Sequence, residues 1–148
     1  MSALTEAVRA YLLGERVPVI DEGEDRLWFP VDAIPVGWRV HVWVRPVEQQ
    51  VLVHSVFPSL VPEDRRDAVG RYLHRADFGS ILGNFELDLD DGEVRYKTSI
   101  EVGDVHPSPA LLRPLFVANM GTCHRYFPGL VAVVDGADPD EQIVHIES

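Results

Sequence analysis

The chain is poor in the features that mark secreted and membrane-spanning proteins. It has a single cysteine, Cys123, which excludes an internal disulfide and fits a reducing cytosol. No apolar run approaches the ~18 residues that a helix needs to cross a bilayer. The N-terminal stretch carries Glu6 early and lacks the basic-then-apolar order of a signal peptide. We therefore expect a soluble, cytoplasmic protein.

Positive charge is also scarce. The sequence has 24 acidic residues against 13 lysines and arginines, which gives a formal net charge of −11 at pH 7. A field of this sign repels phosphate backbones, so we expect neither nucleic-acid nor membrane binding. The acidity has two interpretations, which are solubility alone or a protein partner with a basic surface.

Local motifs of enzyme active sites are absent. Neither Gly-x-Gly-x-x-Gly nor a Walker pattern occurs. Ser80 lies between glycines, but it joins a helix to a strand, the reverse of the order in a nucleophile elbow. Cys123 and His124 are adjacent, so on a helix their side chains diverge by roughly 100° and cannot form an activated pair. We expect no enzyme and no cofactor, with a site assembled from His41, His54 or Cys123 as the alternative.

The acidic turn at 88–93 has some likeness to a calcium loop. Counted from Asp88, however, Gly92 falls at position 5 and Glu93 at position 6, where an EF-hand requires its glycine. The six histidines show no spacing typical of zinc sites. We therefore expect no bound metal.

Hydrophobic periodicity predicts the element order α-ββ-ββ-α-ββ-α-α. Helices are expected at 4–12 after an N-cap at Ser2, from Pro62 to about 76, from Ser108 onward, and from Asp138 to Ile146. Strands are expected at 17–20, 26–29, 38–45, 51–57, 85–90 and 93–98. Pro114 should delay or bend the third helix, because an interior proline removes a backbone hydrogen bond. Hairpins interleaved with helices imply the α+β class, a largely antiparallel sheet with helices packed on it, and residues 1–148 form one domain.

The hairpin around Asp91-Gly92 has a pattern that predicts its register. A two-residue type I′ turn at these residues would pair Leu87 with Tyr96 and Leu89 with Val94. One face would then be apolar and the other would carry acids and bases. The apolar face would comprise Phe85, Leu87, Leu89, Val94 and Tyr96.

The central hairpin predicts a second surface. Residues 38–45 alternate strictly, which places Trp38, Val40, Val42 and Val44 toward the core together with Val51, Val53 and Phe57 of the returning strand. The outer face would carry a candidate partner surface beside the stem of Arg45, with Trp43 roughly opposite His54 and the two histidines diagonal to each other. Its residues are His41, Trp43, Leu52, His54 and Val56. Three interpretations of this surface stay open: a homodimer seam, a groove for another polypeptide, or burial beneath the C-terminal helices.

From Pro62 onward the chain carries a series of packing and turn motifs. They are a helix after Val61-Pro62, a Gly-x-Phe-x-x-Asp strand entry at 83–88, an acidic turn with glycine, and the stretches 94–98 and 125–130. A break at Gly136 and a helix after Asp138 complete the series, which resembles that of the YbjN domain family. The first half agrees in element order only. The family often carries an asparagine near the end of the second helix, where this chain reads Arg-Ala-Asp-Phe at 75–78.

This resemblance implies a type III secretion chaperone-like fold and no catalytic residues. It also implies an acidic protein that binds another polypeptide or itself as a homodimer, or that acts in regulation, since the family is described as regulators of sensory transduction. The alternative is a sensory domain that binds a small ligand between the sheet and the proline-containing third helix.

Overall fold

The computed structural model describes all 148 residues, and they form a six-stranded antiparallel sheet with four helices. The helices are α1 (Ala3–Gly14), α2 (Arg66–Asp77), α3 (Pro109–Val134) and α4 (Pro139–Glu147). The strands are β1 (Ile20–Asp21), β2 (Arg26–Val31), β3 (Trp38–Arg45), β4 (Gln50–Val56), β5 (Asn84–Leu87) and β6 (Val94–Glu101). Their order across the sheet is β1-β2-β3-β4-β6-β5. This is the α+β architecture that the sequence predicts.

The core lies between one face of the sheet and the helices. The rings of Trp38 and Phe57 meet the edge of Phe127 on α3, with centroids 5.0 and 5.2 Å apart. Phe29 on β2 packs on Phe116 of the same helix, which also contacts Tyr11 of α1. We call this the inner face. The seven residues that the central hairpin was expected to direct toward the core are all buried on it.

A buried hydrogen-bond network joins α3 to the inner face. Asn119 accepts a hydrogen bond from Ser55 Oγ at 2.5 Å, and its amide donates to the Val53 carbonyl at 2.9 Å. The same amide reaches Thr98 Oγ1 at 3.1 Å. Trp38 donates its indole N–H to Ser55, and Thr98 donates to the Leu115 carbonyl. Every member is buried, so the network holds the helix at one position on the sheet.

The third helix is longer and more regular than the sequence predicts. It begins at Pro109 and runs without a break through Pro114 and Pro128 to Val134. A proline at position i leaves the carbonyl at i−4 unpaired. Those carbonyls belong to Ala110 and His124, both of which are exposed, so water can satisfy them.

Other boundaries differ by a few residues. The first strand is only Ile20–Asp21, and β2 continues through Pro30 to Val31. Pro30 lies beyond the end of the short β1 pairing, where β2 is an edge and a missing N–H costs nothing. The second helix is preceded by a 3-10 turn at Glu63–Arg65 rather than starting at Pro62.

Both hairpin registers differ from the prediction by two residues. In the β5–β6 hairpin Phe85 pairs with Tyr96 and Leu87 with Val94. In the central hairpin His41 lies directly opposite His54, and Trp43 lies opposite Leu52. A shift of two keeps each side chain on its face, so the predicted inner and outer sets survive apart from Leu89, which is exposed.

The turn between β5 and β6 is set by a tertiary contact rather than by a type I′ geometry. Asp88 donates its backbone N–H to the Glu93 carbonyl, and Gly92 donates to the Asp88 carbonyl. Gly92 has a φ of +87° and receives the Val61 N–H at 2.8 Å on its carbonyl oxygen. A Cβ at this position would overlap the Val61 backbone. The loop before α2 therefore packs directly onto the turn.

None of the helices is long and apolar enough to cross a membrane.

Candidate functional site

The outer face of the sheet is the surface that no helix covers. Helix α3 packs on the inner face, α2 packs on β5 and α3, α1 packs on α3, and α4 packs on α2 and α3. The C-terminal helices therefore do not bury the outer face. This excludes burial within the monomer, one of the three alternatives that the sequence leaves open. The pairing of the strands gives the face five of the thirteen lysines and arginines, against two glutamates, Glu86 and Glu101. Its cations are Arg26, Arg39, Arg45, Arg95 and Lys97.

Trp43 lies at the centre of a cation–aromatic stack. The guanidinium carbon of Arg26 is 4.7 Å from the ring centroid, and that of Arg45 is 5.7 Å away. The residue is 38% exposed. Both arginines lie on the outer face, since Arg26 on β2 pairs with Trp43 and Arg45 follows it by two on β3. The indole is thus held in place while part of its surface stays open to a partner.

A second stack adjoins the first. The Arg39 guanidinium carbon lies 4.4 Å from the Trp28 ring centroid, and the ring of His41 stacks on Trp28 with centroids 6.4 Å apart. His41 Nδ1 is 3.7 Å from a carboxylate oxygen of Glu22. Arg26 and Arg39 form no ion pair, so two of the cations on this face remain available to an anion.

His54 is the most perturbed group on the outer face. It is 8% exposed, and its Nε2 is cut off from water without a hydrogen-bond partner. Burial, with the positive charges of Arg95 and Lys97, lowers the pKa of His54 to about 4, against an upward effect of Glu86 and a further downward one of His41. The ring is therefore neutral at pH 7.

Glu86 is shared between two cations beside His54. It accepts a hydrogen bond from Arg95 at 2.7 Å and one from Lys97 at 3.2 Å. Burial raises the pKa of Glu86, but these two hydrogen bonds outweigh burial and hold the pKa below its usual range. Two positive charges opposite one negative charge leave this part of the face with excess positive charge.

Two depressions run along the face and meet at His41. One of about 320 Å³ is lined by Trp43, Leu52 and His54 together with the cations around them. The other, of about 530 Å³, lies at the end of the sheet and is lined by Arg39, Val56, the loop that follows β4 and two acids, Asp32 and Glu93. All five residues of the predicted partner surface line one of these depressions. The structure therefore brings them together along a shallow groove.

Sequence reasoning missed the basic and aromatic partners of this surface. The sequence pattern places Arg26, Trp28 and Arg39 in strands and Arg95 and Lys97 on the charged face of a hairpin, without joining them into one surface. The spacing of Arg26, Trp28 and Pro30 does indicate that their side chains share one face of a strand, because residues two apart point the same way. Finding the surface required knowing that β2 pairs with β3 and that β6 pairs with β4.

The other side chains that could take part in chemistry lie away from this face. Cys123 is buried on the inner side, and burial raises the pKa of its thiol to about 12. The Ser80 hydroxyl bonds to the carbonyls of Leu82 and Gly83 and to the Tyr96 hydroxyl, so it closes a loop. Asp77, at the place where the sequence comparison expects an asparagine, accepts the Phe85 N–H at 2.8 Å. The predicted ligand space between the sheet and α3 is filled by Phe116, Phe127 and the Asn119 network.

Comparison with solved structures identifies the fold. YbjN from E. coli, described as "a putative transcription regulator", superposes with a TM-score of 0.63 over 88% of each chain at 10% sequence identity. This chain has a YbjN-like fold. The family resemblance that the sequence predicts is thereby confirmed at the level of structure. No known family profile matches the chain, and no curated protein matches it in sequence.

The YbjN-like fold of this chain should need no metal. No group of three or more histidine, cysteine, aspartate or glutamate side chains is arranged to hold an ion. We expect a chelator to leave the melting temperature unchanged, because a structural metal would couple to folding. A calorimetric scan with and without EDTA tests this. A fall of several degrees that added zinc or calcium restores would contradict it.

His54 should make the protein less stable in mild acid. Its pKa is about 4 when folded and 6.5 when unfolded, so the unfolded state binds the proton first as the pH falls. The neutral form of His54 makes its full contribution to the free energy of unfolding above pH 6.5. Between pH 6.5 and pH 4 this contribution falls by about 1.4 kcal/mol per pH unit. Urea unfolding at pH 7 and pH 5 should show His54→Gln retaining about 2 kcal/mol that the wild type loses. His106→Gln, at an exposed loop histidine, is the control, and equal losses in all three proteins would contradict the prediction.

Proposed function

We propose that this chain is a non-enzymatic regulatory module that binds an extended segment of another polypeptide on the outer face of its sheet. The observation that carries the proposal is Trp43, a partly exposed indole fixed between two arginines on a face that the helices leave open. Tryptophan and arginine are the residues that most often dominate binding energy at protein interfaces. The likeness to a protein described as a transcription regulator supports a regulatory setting.

The shape of the surface favours an extended segment. The two depressions adjoin at His41: one crosses the middle of the sheet, and the other lies at the end where β3 begins and β4 ends, so together they form an open groove rather than one closed cavity. β3 has eight residues, which at about 3.3 Å per residue gives a length sufficient for several residues of an extended chain. Alternate side chains of such a segment can enter the depressions while its backbone runs over the sheet.

The charge of the surface favours another polypeptide over a second copy of this chain. Each copy of this chain carries a net charge of −11, so two copies would bring together two surfaces of the same overall sign, whereas another polypeptide can carry the opposite charge. Juxtaposed like charges oppose association. We therefore expect the isolated protein to be monomeric in sedimentation velocity.

Trp43→Asp should weaken peptide binding strongly without unfolding the protein. Peptides selected from a random library against the wild type should lose about 30-fold or more in affinity, since a central tryptophan is a typical hot spot. Fluorescence anisotropy measures the affinity, and a urea melt confirms that the variant folds. Val117→Asp is the matched control, because Val117 is a more exposed apolar residue at 57% and lies on α3.

Two outcomes would overturn the proposal. One is selection that yields no wild-type binder, or binders that tolerate Trp43→Asp as well as Val117→Asp. The other is wild-type self-association that Trp43→Asp dissolves, which would make the occupant a second copy. If Trp43→Asp does not fold, Trp43→Ser is tested in its place. It introduces no charge at this position, and a folded Trp43→Ser variant shows whether binding itself is lost.

A further inference from the structure

We infer that the depression around His54 is an anion pocket that receives one carboxylate or phosphate group from the bound polypeptide. This inference rests on the proposed function, because it names the chemistry of the segment that occupies the outer face. Four strands, β2, β3, β4 and β6, contribute residues to the pocket.

The lining of the pocket is strongly cationic. Arg26, Arg95 and Lys97 line a volume of about 320 Å³ together with His41 and His54. Arg26 makes no ion pair, and Arg95 and Lys97 share the single carboxylate of Glu86, which lies outside the lining. Glu22 is the one acid in the lining, and it faces His41. Guanidinium groups suit carboxylate and phosphate oxygens because they offer paired N–H donors.

The pocket also contains an unsatisfied polar atom. Nε2 of His54 is buried and has no hydrogen-bond partner, although nearly all buried polar groups in proteins have one. The residue is 8% exposed and lines the pocket, so a hydrogen-bond acceptor that enters the pocket comes to lie beside the ring. An anionic oxygen seated among the cations would accept a hydrogen bond from the histidine ring and would remove this deficit.

The charge distribution selects a single anionic group over a polyanion. The pocket is positive, but the whole chain carries a net charge of −11. At physiological ionic strength charges interact over about 8 Å, so a lone carboxylate or phosphate experiences mainly the pocket. A nucleic acid would extend past the face and meet the acidic remainder of the protein.

Anion binding in this pocket must be coupled to protonation of the His54 ring. An anion adds a negative charge beside His54, whose surroundings are otherwise Arg95, Lys97 and His41 against Glu86. The added charge favours the protonated ring, so the pKa of His54 should rise when the pocket is filled. By linkage, binding should strengthen as the pH falls through the raised pKa of the filled pocket toward the free-state value of about 4.

Histidine NMR on the intact protein tests the pocket without any peptide. The side-chain nitrogen shifts of His54 are followed from pH 7 to about pH 3, past its pKa of about 4, in chloride buffer and again with added inorganic phosphate or acetate. We expect phosphate and acetate to raise the His54 midpoint and to leave that of His106 unchanged. Arg26→Gln should weaken this effect, whereas Arg125→Gln should not. Arg125 is the matched control because its guanidinium also stacks on an aromatic ring, 5.2 Å from Tyr126 on α3.

Three capped peptides of equal length test whether the anionic group can be supplied by a polypeptide. Leucine alternates with glutamate in one, with phosphoserine in the second and with glutamine in the third. We expect the two anionic peptides to bind about tenfold more tightly than the glutamine peptide, a difference that Arg26→Gln removes. The stronger of the two identifies the source of the anionic group, and an oligothymidylate of similar length should bind more weakly than either.

The outcomes separate this inference from the proposed function. Equal binding of all three peptides, with an unchanged His54 midpoint, would overturn the anion pocket and leave peptide binding intact. A shifted midpoint with no peptide bound would support the pocket and overturn the proposed function. Tighter binding of oligothymidylate than of the anionic peptides would overturn the assignment to a polypeptide. A His54 midpoint that neither phosphate nor acetate moves would overturn the anion pocket, and the cations around it would then be surface charges without a ligand.

Discussion

Asn119→Ala should destabilise the protein by about 3–5 kcal/mol. Asn119 is fully buried, and its side chain serves Ser55, Val53 and Thr98 at the junction of α3 with the sheet. Truncation leaves the Ser55 hydroxyl with one partner fewer and creates a cavity beneath the helix. Urea unfolding followed by far-UV circular dichroism measures the change.

Asn84→Ala is the control for this prediction. Asn84 is an exposed asparagine on β5 whose amide reaches only the Phe85 carbonyl, at 3.2 Å. Its replacement should change stability by less than about 0.5 kcal/mol, as exposed substitutions generally do. A loss for Asn119→Ala no greater than that for Asn84→Ala would show that the network does not hold the helix.

Gly92→Ala should cost about 3 kcal/mol or more. The φ of +87° is unfavourable for any residue with a Cβ, by about 1–2 kcal/mol. The added methyl group would also overlap the backbone of Val61, which cannot rotate away as a side chain could. The contact must open, and with it the hydrogen bond from Val61 N–H to the Gly92 carbonyl and the bonds from Arg66 to Val61 and Leu89.

Gly79→Ala separates the two contributions to this loss. Gly79 has nearly the same φ, +85°, but nothing lies within 4 Å of a Cβ built there. It should therefore lose only the conformational part, about 1 kcal/mol. Equal losses for the two variants, measured by denaturant unfolding, would mean that the contact with Val61 adds no stability.

Local rules were sufficient for much of the fold. Ser2 and Asp138 cap the first and last helices as their side chains and spacing predict, accepting the N–H groups of Thr5 and Glu141. Alternation along residues 38–45 determined which side chains enter the core. These features depend on residues close in sequence, so a single chain is enough to read them.

Registers and contacts between distant segments could not be read in the same way. Alternation is equally satisfied by registers that differ by two, so it predicted the face of Phe85 and Tyr96 but not that they pair. The turn after β5 takes its shape from Val61, which lies about thirty residues earlier in the chain. The cationic character of the outer face emerges only when β2 and β6 are placed beside the central hairpin.

The division of the sheet into two faces has a consequence for how the protein can diverge. Stability depends chiefly on the inner residues and the Asn119 network, whereas the residues around Trp43 and His54 lie on the opposite face of the sheet. Relatives could therefore exchange outer-face residues, and with them their partners, while the same scaffold keeps folding. A one-residue insertion within β3 or β4 would not have this freedom, because it would interchange the two faces beyond the insertion. Neutral drift at this surface should accordingly proceed by substitution and spare strand length.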